Sequence, residues 1–583
     1  MEKARFETIE QKKSFWHSTS HILADAVKRL WPDVKLGIGP AIDEGFYYDF
    51  SRKTPFTPED LIKIEAQMKK IVKEDKLYKE IFMARKEAEK FLKNEPYKLD
   101  LLKDFPGDKI SFHQHGNFID LCNTPVVKST GQIKAFKLLN IAAAYWRGDS
   151  TKPQLQRIYG ISFPDKEQLD NFTKMREEAE KRDHKKLGKQ LGLFTFSDLV
   201  GPGIPLFTPK GEIIRYEIEK FIRELQTKAG YQHVWTGHIA KAAIYRKSGH
   251  IPIYQENMFP PMKYENEEYI LKPMNCPSHI QLYASQARSY RDLPLRFCEF
   301  ATLYRHEESG AVSGLVRVRS LTQDDCHVFC RPDQVQEEIA KVLDLIKIAL
   351  KTFGLNDYWI RLSLRDQKNK RKYLGDDKVW AAAESALKQS LQKSKIAFKS
   401  AEGEAAFYGP KMDLMVKDAL GREWQLSTIQ LDFNQPERFN LEYAGEDNKP
   451  HLPVMIHRAV IGSTERFMGV LIEQYAGAFP LWLAPVQVKL LTFTDRNQKF
   501  AEKIEQQLKD ANIRVESDYS NSTVEYKVRA AELEKVPYIL VVGDKEEKNN
   551  TVAVRKRGTA KVQFGVTVQN FIEMVMGERE KKV

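Results

Sequence analysis

Arginine and glutamate crowd one short stretch of this 583-residue chain. Residues 297–330 read FCEFATLYRHEESGAVSGLVRVRSLTQDDCHVFC, which sets Arg305 and Glu307 at a polar turn and brings Arg317 and Arg319 back after it. Guanidinium forks match phosphate and carboxylate bidentately, so arginines at such a turn could grip a polyphosphate and neutralise charge developing in phosphoryl or adenylyl transfer. The same residues could instead form a solvated face stapled by ion pairs. A second feature is HSTSH, in which His17 and His21 stand four apart and share a helix face with Ala24. The glutamate that would make a two-histidine helix a metalloprotease is missing. Near the C-terminus, VAVRKRG reads by itself as an ordinary basic turn.

These residues need elements to hold them. PLRFCEFATLYRH and GLVRVRSLTQDDCHVFC alternate in part with a period of two, which predicts a long antiparallel hairpin on a central sheet. That reading puts Arg317 and Arg319 on its second strand. HSTSHILADAVKRLW predicts a helix, and EIIRYEIEKFIREL another, with Ile214, Ile218, Phe221 and Leu225 on one apolar stripe. The charged run 165–190 predicts a single solvated linker helix entered at Pro164 and left at Gly192, with Leu169, Phe172 and Ala179 beneath its charges. Past residue 485, VQVKLLTF, KFAEKIEQQLKDA, IRVESDY, VEYKVRAAELEK, PYILVVG and TVAVRKRG alternate strand with helix, predicting a compact α/β domain with a mostly parallel sheet. The expected segments are 1–163, 164–190, 191–484 and 485–583.

Composition narrows the class. A chain that is 42% apolar and 30% charged is ordinary globular material, too long for one core, and neither collagen-like nor disordered. A net charge of +12 and a pI near 9.0 fit a protein that lies against a polyanion, although the sum does not say whether the charges share a face. Five cysteines without a CxxC pair speak for a reducing cytoplasm. The charged opening MEKARFETIEQKKSF and the lack of long apolar runs predict a soluble cytoplasmic protein with no membrane association.

The arginine hairpin resembles motif 2 of the class II aminoacyl-tRNA synthetases, and HRAVIGSTERFMGVLIEQ, residues 457–474, resembles their motif 3, where Gly462 and Arg466 open a helix beside ATP. PMNCPSH, LTQDDCH, AFYGPK, STIQLDF and VMIHRA are similar to the threonyl-tRNA synthetases, and the likeness runs over essentially the whole chain. It implies an α+β multidomain protein: a class II antiparallel-sheet catalytic domain, an α/β anticodon-binding domain and an N-terminal α+β editing-like domain. The implied activity is ATP-dependent ligation of L-threonine to tRNA(Thr) through threonyl-adenylate, in a homodimer. Arg305 would then hold the α-phosphate and the substrate carboxylate, Arg317 and Arg466 the outer phosphates, and Glu307 the adenine. Gln425, Thr428 and Ser463 would complete the ATP site, with Mg2+ accompanying the nucleotide, while Lys411 and His250 would assist catalysis, His250 near the tRNA ribose.

The resemblance further makes Cys276, His327 and His457 ligands of one zinc ion per subunit with an open position, surrounded by Gln323, Asp325, Tyr408 and Gln430 for threonine. Spacing alone matches no compact zinc pattern. A zinc site that takes both amino and hydroxyl groups rejects valine, whereas serine lacks only a methyl worth about 1–3 kcal/mol. That deficit gives a physical reason for an N-terminal segment resembling the domain that hydrolyses Ser-tRNA, at His17, His21, Lys98, Asp120 and Cys122. The family commonly has histidine where this chain has Val126, which would weaken editing, and proline in motif 1 where it has Gly237, which would loosen that strand without abolishing dimerisation. It also starts without the small ubiquitin-like domain of bacterial relatives. Asn521, Glu546 and Arg555 fall where the family reads anticodon bases, with Lys556 and Arg557 for nearby phosphates. A seryl- or prolyl-type synthetase and a non-catalytic RNA-binding paralogue are the competing readings.

Overall fold

Thr8 starts the first long helix by accepting a hydrogen bond from the Gln11 amide, and Ile9–Leu30 follows. This computed structural model describes residue 6 and residues 8–308, 310–394 and 396–582, in two compact units, Met1–Glu177 and Glu178–Val583. Residues 1–5 and Glu7 of the charged opening and Ser309 of the arginine turn lie outside the described residues.

In the first unit the helix Ile9–Leu30 buries Trp16, Ile22, Leu23 and Val27 in one core with Phe46, Tyr48 and Phe50 of the strand Gly45–Ser51. That strand belongs to a five-stranded sheet with Lys35–Leu36, Ala41–Ile42, Gln154–Phe163 and Ala135–Tyr145. A second sheet of three strands runs in the order Tyr78–Ala84, Lys109–His115, Phe118–Leu121. The HSTSH histidines therefore sit on a fully buried helix segment, with few ways to move.

The second unit is built on an eight-stranded sheet ordered Gln232–His233, Leu295–Tyr304, Ser320–Cys330, Val454–Ala459, Glu423–Asp432, Lys411–Lys417, Tyr358–Leu364, Phe398–Glu402. Its inner pairs are antiparallel, and only the two edge pairs are parallel. The expected hairpin is there, Leu295–Tyr304 against Ser320–Cys330, with Phe297 opposite His327 and Ala301 opposite Gln323. Its second strand begins later than the pattern predicted. Arg317 and Arg319 precede Ser320 in the loop, where Glu307 holds both side chains: it accepts from Arg317 Nε at 2.9 Å through its carboxylate and from Arg319 Nε at 2.8 Å through its backbone carbonyl. The helix Pro209–Lys228 buries Ile214, Ile218, Phe221 and Ile222 against this sheet, and Leu225 packs at its margin.

Three further expectations change. The charged run forms two helices, Lys166–Arg182 and His184–Gln190, because Asp183 leaves helical geometry and caps the second by accepting from the Lys185 and Lys186 amides. The C-terminal sheet, ordered Val515–Asp518, Val488–Thr492, Tyr538–Val542, Thr551–Lys556, Val562–Thr567, is parallel only in its first three strands. The connection after Val542 holds one short helix, Asp544–Asn549, ended by left-handed Asn550 (φ +53°), too short for a crossover, so the next strand returns antiparallel. Gly237 lies in the loop after the two-residue strand Gln232–His233, outside it. No described helix is long and apolar enough to cross a membrane.

Candidate functional site

Gly462 and Ser463 set up one wall of a cleft on the eight-stranded sheet. Gly462 has φ +68°, and a Cβ there would stand 2.5 Å from the Leu426 carbonyl, so only glycine lets the chain turn this close to the strand. Ser463 then caps the helix Thr464–Gln474 by accepting from the Arg466 amide. Arg466 donates from Nε to the Val316 carbonyl at 2.9 Å, tying this helix to the loop that carries Arg305, Glu307 and Arg317. The cleft is lined by Arg305, Glu307, Arg317, Gln323, Gln425, Thr428, Gln430, Ser463 and Arg466. All seven residues expected at ATP and two expected at threonine thus face one space.

The electrostatics of that space favour an anion. Burial lowers the Arg466 pKa, and the charges of Arg305 and Arg317 lower it further. Arg305 Nε is buried with no hydrogen-bond partner among the described residues. Three cations pressed together, one with an unsatisfied donor, are costly unless phosphate completes them. Beneath the floor lies a buried hub that sequence reading missed: Asp413 binds Lys411 Nζ at 3.0 Å, Arg361 Nη2 at 3.1 Å, Gln425 Nε2 at 2.8 Å and Thr428 Oγ1 at 3.1 Å. Lys411 therefore points to Asp413, and Arg361 also donates to Gln425 Oε1 at 2.9 Å.

Further along the same strands, Cys276, His327 and His457 converge, with ligand atoms within 4.8 Å of one another. His327 and His457 are directly opposite on neighbouring strands, and Cys276 opens the helix Cys276–Ala284. Each imidazole is oriented from behind. Asp432 accepts from His457 Nε2 at 2.9 Å, and His327 Nδ1 meets His279 Nδ1 at 2.8 Å, with His279 Nε2 in turn 3.3 Å from Glu299. This leaves His457 Nδ1 and His327 Nε2 facing each other at 3.1 Å. Burial, then His457, drives the His327 pKa far down, and burial pushes the Cys276 thiol far up. Bare nitrogen lone pairs beside a sulfur that ionises only next to a cation are a donor set suited to zinc, and outer partners of this kind are the ones that fix metal-binding histidines.

Tyr408 and Asp325 lie beside the trio. The Tyr408 ring stacks on His457 at 4.6 Å and its hydroxyl reaches Gln430. Asp325 Oδ1 lies 3.8 Å from His327 Nε2, its carboxyl pushed up to about 6 by burial. His250 is fully buried, its Nδ1 2.7 Å from Ser248 Oγ and its Nε2 3.1 Å from Met274 Sδ and 3.8 Å from Cys276 Sγ. Burial holds its pKa at about 3. It forms part of the wall behind the trio, and would reach a ribose only by leaving Met274.

In the first unit, His17, His21, Lys98, Asp120 and Cys122 form one buried cluster. His17 Nδ1 donates to the Gly39 carbonyl at 3.0 Å, and its Nε2 lies 2.9 Å from Cys122 Sγ and 3.1 Å from His21 Nε2. Asp120 takes His21 Nδ1 at 3.2 Å, Lys98 Nζ at 2.5 Å and the Tyr48 hydroxyl at 2.7 Å. The ligand atoms of His17, His21 and Cys122 also lie within 4.8 Å of one another, but Lys98 Nζ, 2.5 Å from Asp120, sets an ammonium charge beside them that disfavours a second cation. The cluster reads as a charge-transfer set. Burial lowers the His21 pKa but Asp120 and Cys122 outweigh it and raise it to about 9, while burial of Cys122 is outweighed by His113, His17 and His21, which bring the thiol to about 3.

The C-terminal residues are not gathered in the same way. Asn521 is exposed in the turn after Val515–Asp518, and Glu546, on the helix Asp544–Asn549, accepts from the Gly543 amide at 3.1 Å. Arg555 lies opposite Ile539 and pairs with Glu532. No hydrogen bond joins the three among the described residues. Lys556 pairs with Glu578, and Arg557 donates to the backbone carbonyls of Lys535, Ala478 and Phe479, so Arg557 ties its strand end to the rest of the unit.

Three family models match parts of the chain. Residues 261–475 match the tRNA synthetase class II core domain (G, H, P, S and T), residues 483–578 an anticodon binding domain, and residues 110–159 the threonyl and alanyl tRNA synthetase second additional domain. The chain is 51% identical to the threonine–tRNA ligase of Rubrobacter xylanophilus over 563 residues, covering 96% of this chain and 88% of that one. It is 49% identical to the enzyme of that name from Caldanaerobacter subterraneus subsp. tengcongensis over 581 residues, covering 99% and 89%. Among solved structures, the RNA binding domain of threonyl-tRNA synthetase from Cryptosporidium parvum Iowa II superposes with a TM-score of 0.65 at 38% identity, over 68% of this chain and 98% of that one.

Proposed function

This chain belongs to the class II threonyl-tRNA synthetases, and from that membership we propose that it joins L-threonine to tRNA(Thr) in two steps in the cleft of its second unit. The observation that carries the reading is a cleft lined by Arg305, Arg317 and Arg466, on the sheet that also carries His327 and His457 of the trio. In the first step a threonine carboxylate oxygen attacks the α-phosphorus of ATP, the bond to pyrophosphate breaks, and the three guanidinium groups offset the charge that develops. In the second, the terminal ribose hydroxyl of the tRNA attacks the threonyl carbonyl and AMP leaves. Glu307 reads the adenine, Gln425, Thr428 and Ser463 hold the nucleotide, and Asp413 keeps Gln425 and Lys411 in place. Magnesium enters with ATP.

Cys276, His327 and His457 would hold zinc, which supplies a Lewis acid with an open position for the amino and hydroxyl groups of threonine. Gln323, Asp325, Tyr408 and Gln430 orient the amino acid around it. Valine leaves these polar groups unpaired and is refused. Asn521, Glu546 and Arg555 read the anticodon, and the active form is a cytoplasmic homodimer whose functional segments are 1–163, 164–190, 191–484 and 485–583. Threonine-dependent exchange of pyrophosphate into ATP and charging of tRNA(Thr) test the reading: exchange driven equally by serine or proline, or tRNA binding without exchange, would refute it. The cluster in the first unit hydrolyses Ser-tRNA(Thr), favoured by a thiolate beside an imidazolium among buried side chains; preformed Ser-tRNA(Thr) that decays no faster with the enzyme than without it rules this activity out.

A further inference from the structure

His113 adjoins the cluster proposed to hydrolyse Ser-tRNA(Thr). It sits on the strand Lys109–His115, directly opposite Asp120 on Phe118–Leu121, so the two side chains share a face of the three-stranded sheet. The ladder continues one step further, where the Cys122 amide donates to the Ser111 carbonyl. Alternation then puts Ser111, His113, Asp120 and Cys122 on that same face, with His113 diagonal to Cys122 and within reach of an imidazole. The ring is 7% exposed and meets His21 edge-on with centroids 6.2 Å apart.

The hydrogen-bond inventory sets His113 apart from its neighbours. Both nitrogens of His17 and both of His21 are engaged, with Gly39, Cys122, Asp120 and each other. His113 Nδ1 is buried with no partner among the described residues. An unsatisfied buried ring nitrogen costs about 1–3 kcal/mol, and such costs gather where a site needs the group. We propose that His113 is a positioning residue of the hydrolytic centre, a third imidazole that holds the Cys122 sulfur where an aminoacyl ester is bound and cleaved. The sulfur, held also by the Thr124 amide at 3.3 Å, is thereby kept anionic beside Asp120, Lys98 and Tyr48, as a receptor for the α-ammonium group of the ester. Of the neighbouring groups that draw the Cys122 thiol down, His113 acts most strongly.

This inference rests on the proposed hydrolysis of Ser-tRNA(Thr), and its test separates the two. Full-length enzyme with His113→Phe keeps a ring in the space but no polar atom, whereas His113→Gln restores a polar nitrogen near the position of Nε2, the ring nitrogen left to face the sulfur when Nδ1 has no partner. Single-turnover hydrolysis of preformed Ser-tRNA(Thr) is expected to slow about 30-fold in the phenylalanine variant and to recover to within about fivefold of wild type with glutamine, in the range of one positioned group. Threonylation stays unchanged in both. Because His113 acts through the sulfur, Cys122→Ala/His113→Phe is expected to be no slower than Cys122→Ala alone. Hydrolysis within twofold of wild type in His113→Phe, or penalties that multiply in the double variant, overturns the proposal. Should wild type fail to hydrolyse the ester, the editing reading falls, and alkylation of Cys122 by iodoacetamide at pH 6, followed by mass spectrometry, still decides the contact: tenfold slower in His113→Phe supports it, and equal rates sink it.

Discussion

Asp432→Asn offers the sharpest single perturbation of the trio, because it changes one atom and its sign can be worked out. Asp432 Oδ1 accepts from the Asn434 amide at 2.7 Å and the Gln435 amide at 3.0 Å, while Oδ2 accepts from His457 Nε2 at 2.9 Å. An asparagine oxygen must therefore stay with the two amides, which puts its NH2 against His457 Nε2. Donor then meets donor. Flipping the amide would sacrifice two backbone hydrogen bonds, at about 1 kcal/mol each, and would set the NH2 against those two N–H donors instead. His457 instead moves its proton to Nδ1, the atom that faces His327 Nε2 at 3.1 Å, and loses the lone pair that zinc requires. Outer partners of metal-binding histidines are typically worth a 10- to 100-fold change in affinity, or about 1.4–2.7 kcal/mol. Zinc affinity by competition with a chelator should fall by that factor. The threonine KM for pyrophosphate exchange should rise at limiting zinc while the ATP KM holds. Unaltered zinc affinity in a folded Asp432→Asn enzyme would refute the chain of reasoning from tautomer to metal.

Other consequences can be checked in parallel. Gly462→Ala adds a Cβ 2.5 Å from the Leu426 carbonyl at φ +68°, so it should cost about 2 kcal/mol in urea denaturation and raise the ATP KM; an unchanged midpoint contradicts the turn's role. Arg466→Lys keeps the charge but not the fork or the Nε donation to Val316, and should lower kcat for exchange by about 100-fold with the threonine KM nearly constant; a kcat within threefold of wild type argues against phosphate contact. Histidine NMR should find His21 titrating near 9. A folded pKa raised above 6.5 means that its stabilisation is complete below pH 6.5 and disappears as pH climbs through 9, and Cys122→Ser should draw that titration downward. A His21 transition near 6.5 in wild type would remove the charged pair.

Much of this arrangement could be read before the fold was seen. The hairpin, the stripe Ile214–Ile218–Phe221 and the C-terminal alternation of strand and helix follow from periodicity, because burial on one face imposes a repeat that sequence displays. The likeness to a family supplied the expected roles of Arg305, Arg466 and the trio Cys276, His327 and His457, whose members are 51 and 130 residues apart and form no local pattern. What stayed hidden were groups defined by partners rather than by spacing. Asp413, Arg361, His279 and Asp432 become visible only when strands distant in sequence lie side by side. The loop start of Arg317 and the break at Asp183 were missed for a related reason: a side-chain hydrogen bond to backbone can override a continuing pattern. His113, in a strand that sequence reading did not pick out, matters only through the face it shares with Asp120 and Cys122.

Zinc K-edge absorption of the purified chain addresses the metal claim without passing through activity. One sulfur at about 2.3 Å and two nitrogens at about 2.0 Å, with the sulfur lost in Cys276→Ser and the remaining light-atom shell altered on adding threonine, is the expected spectrum. A shell of nitrogen and oxygen alone, or full threonine activation by protein stripped of metal, would contradict the account.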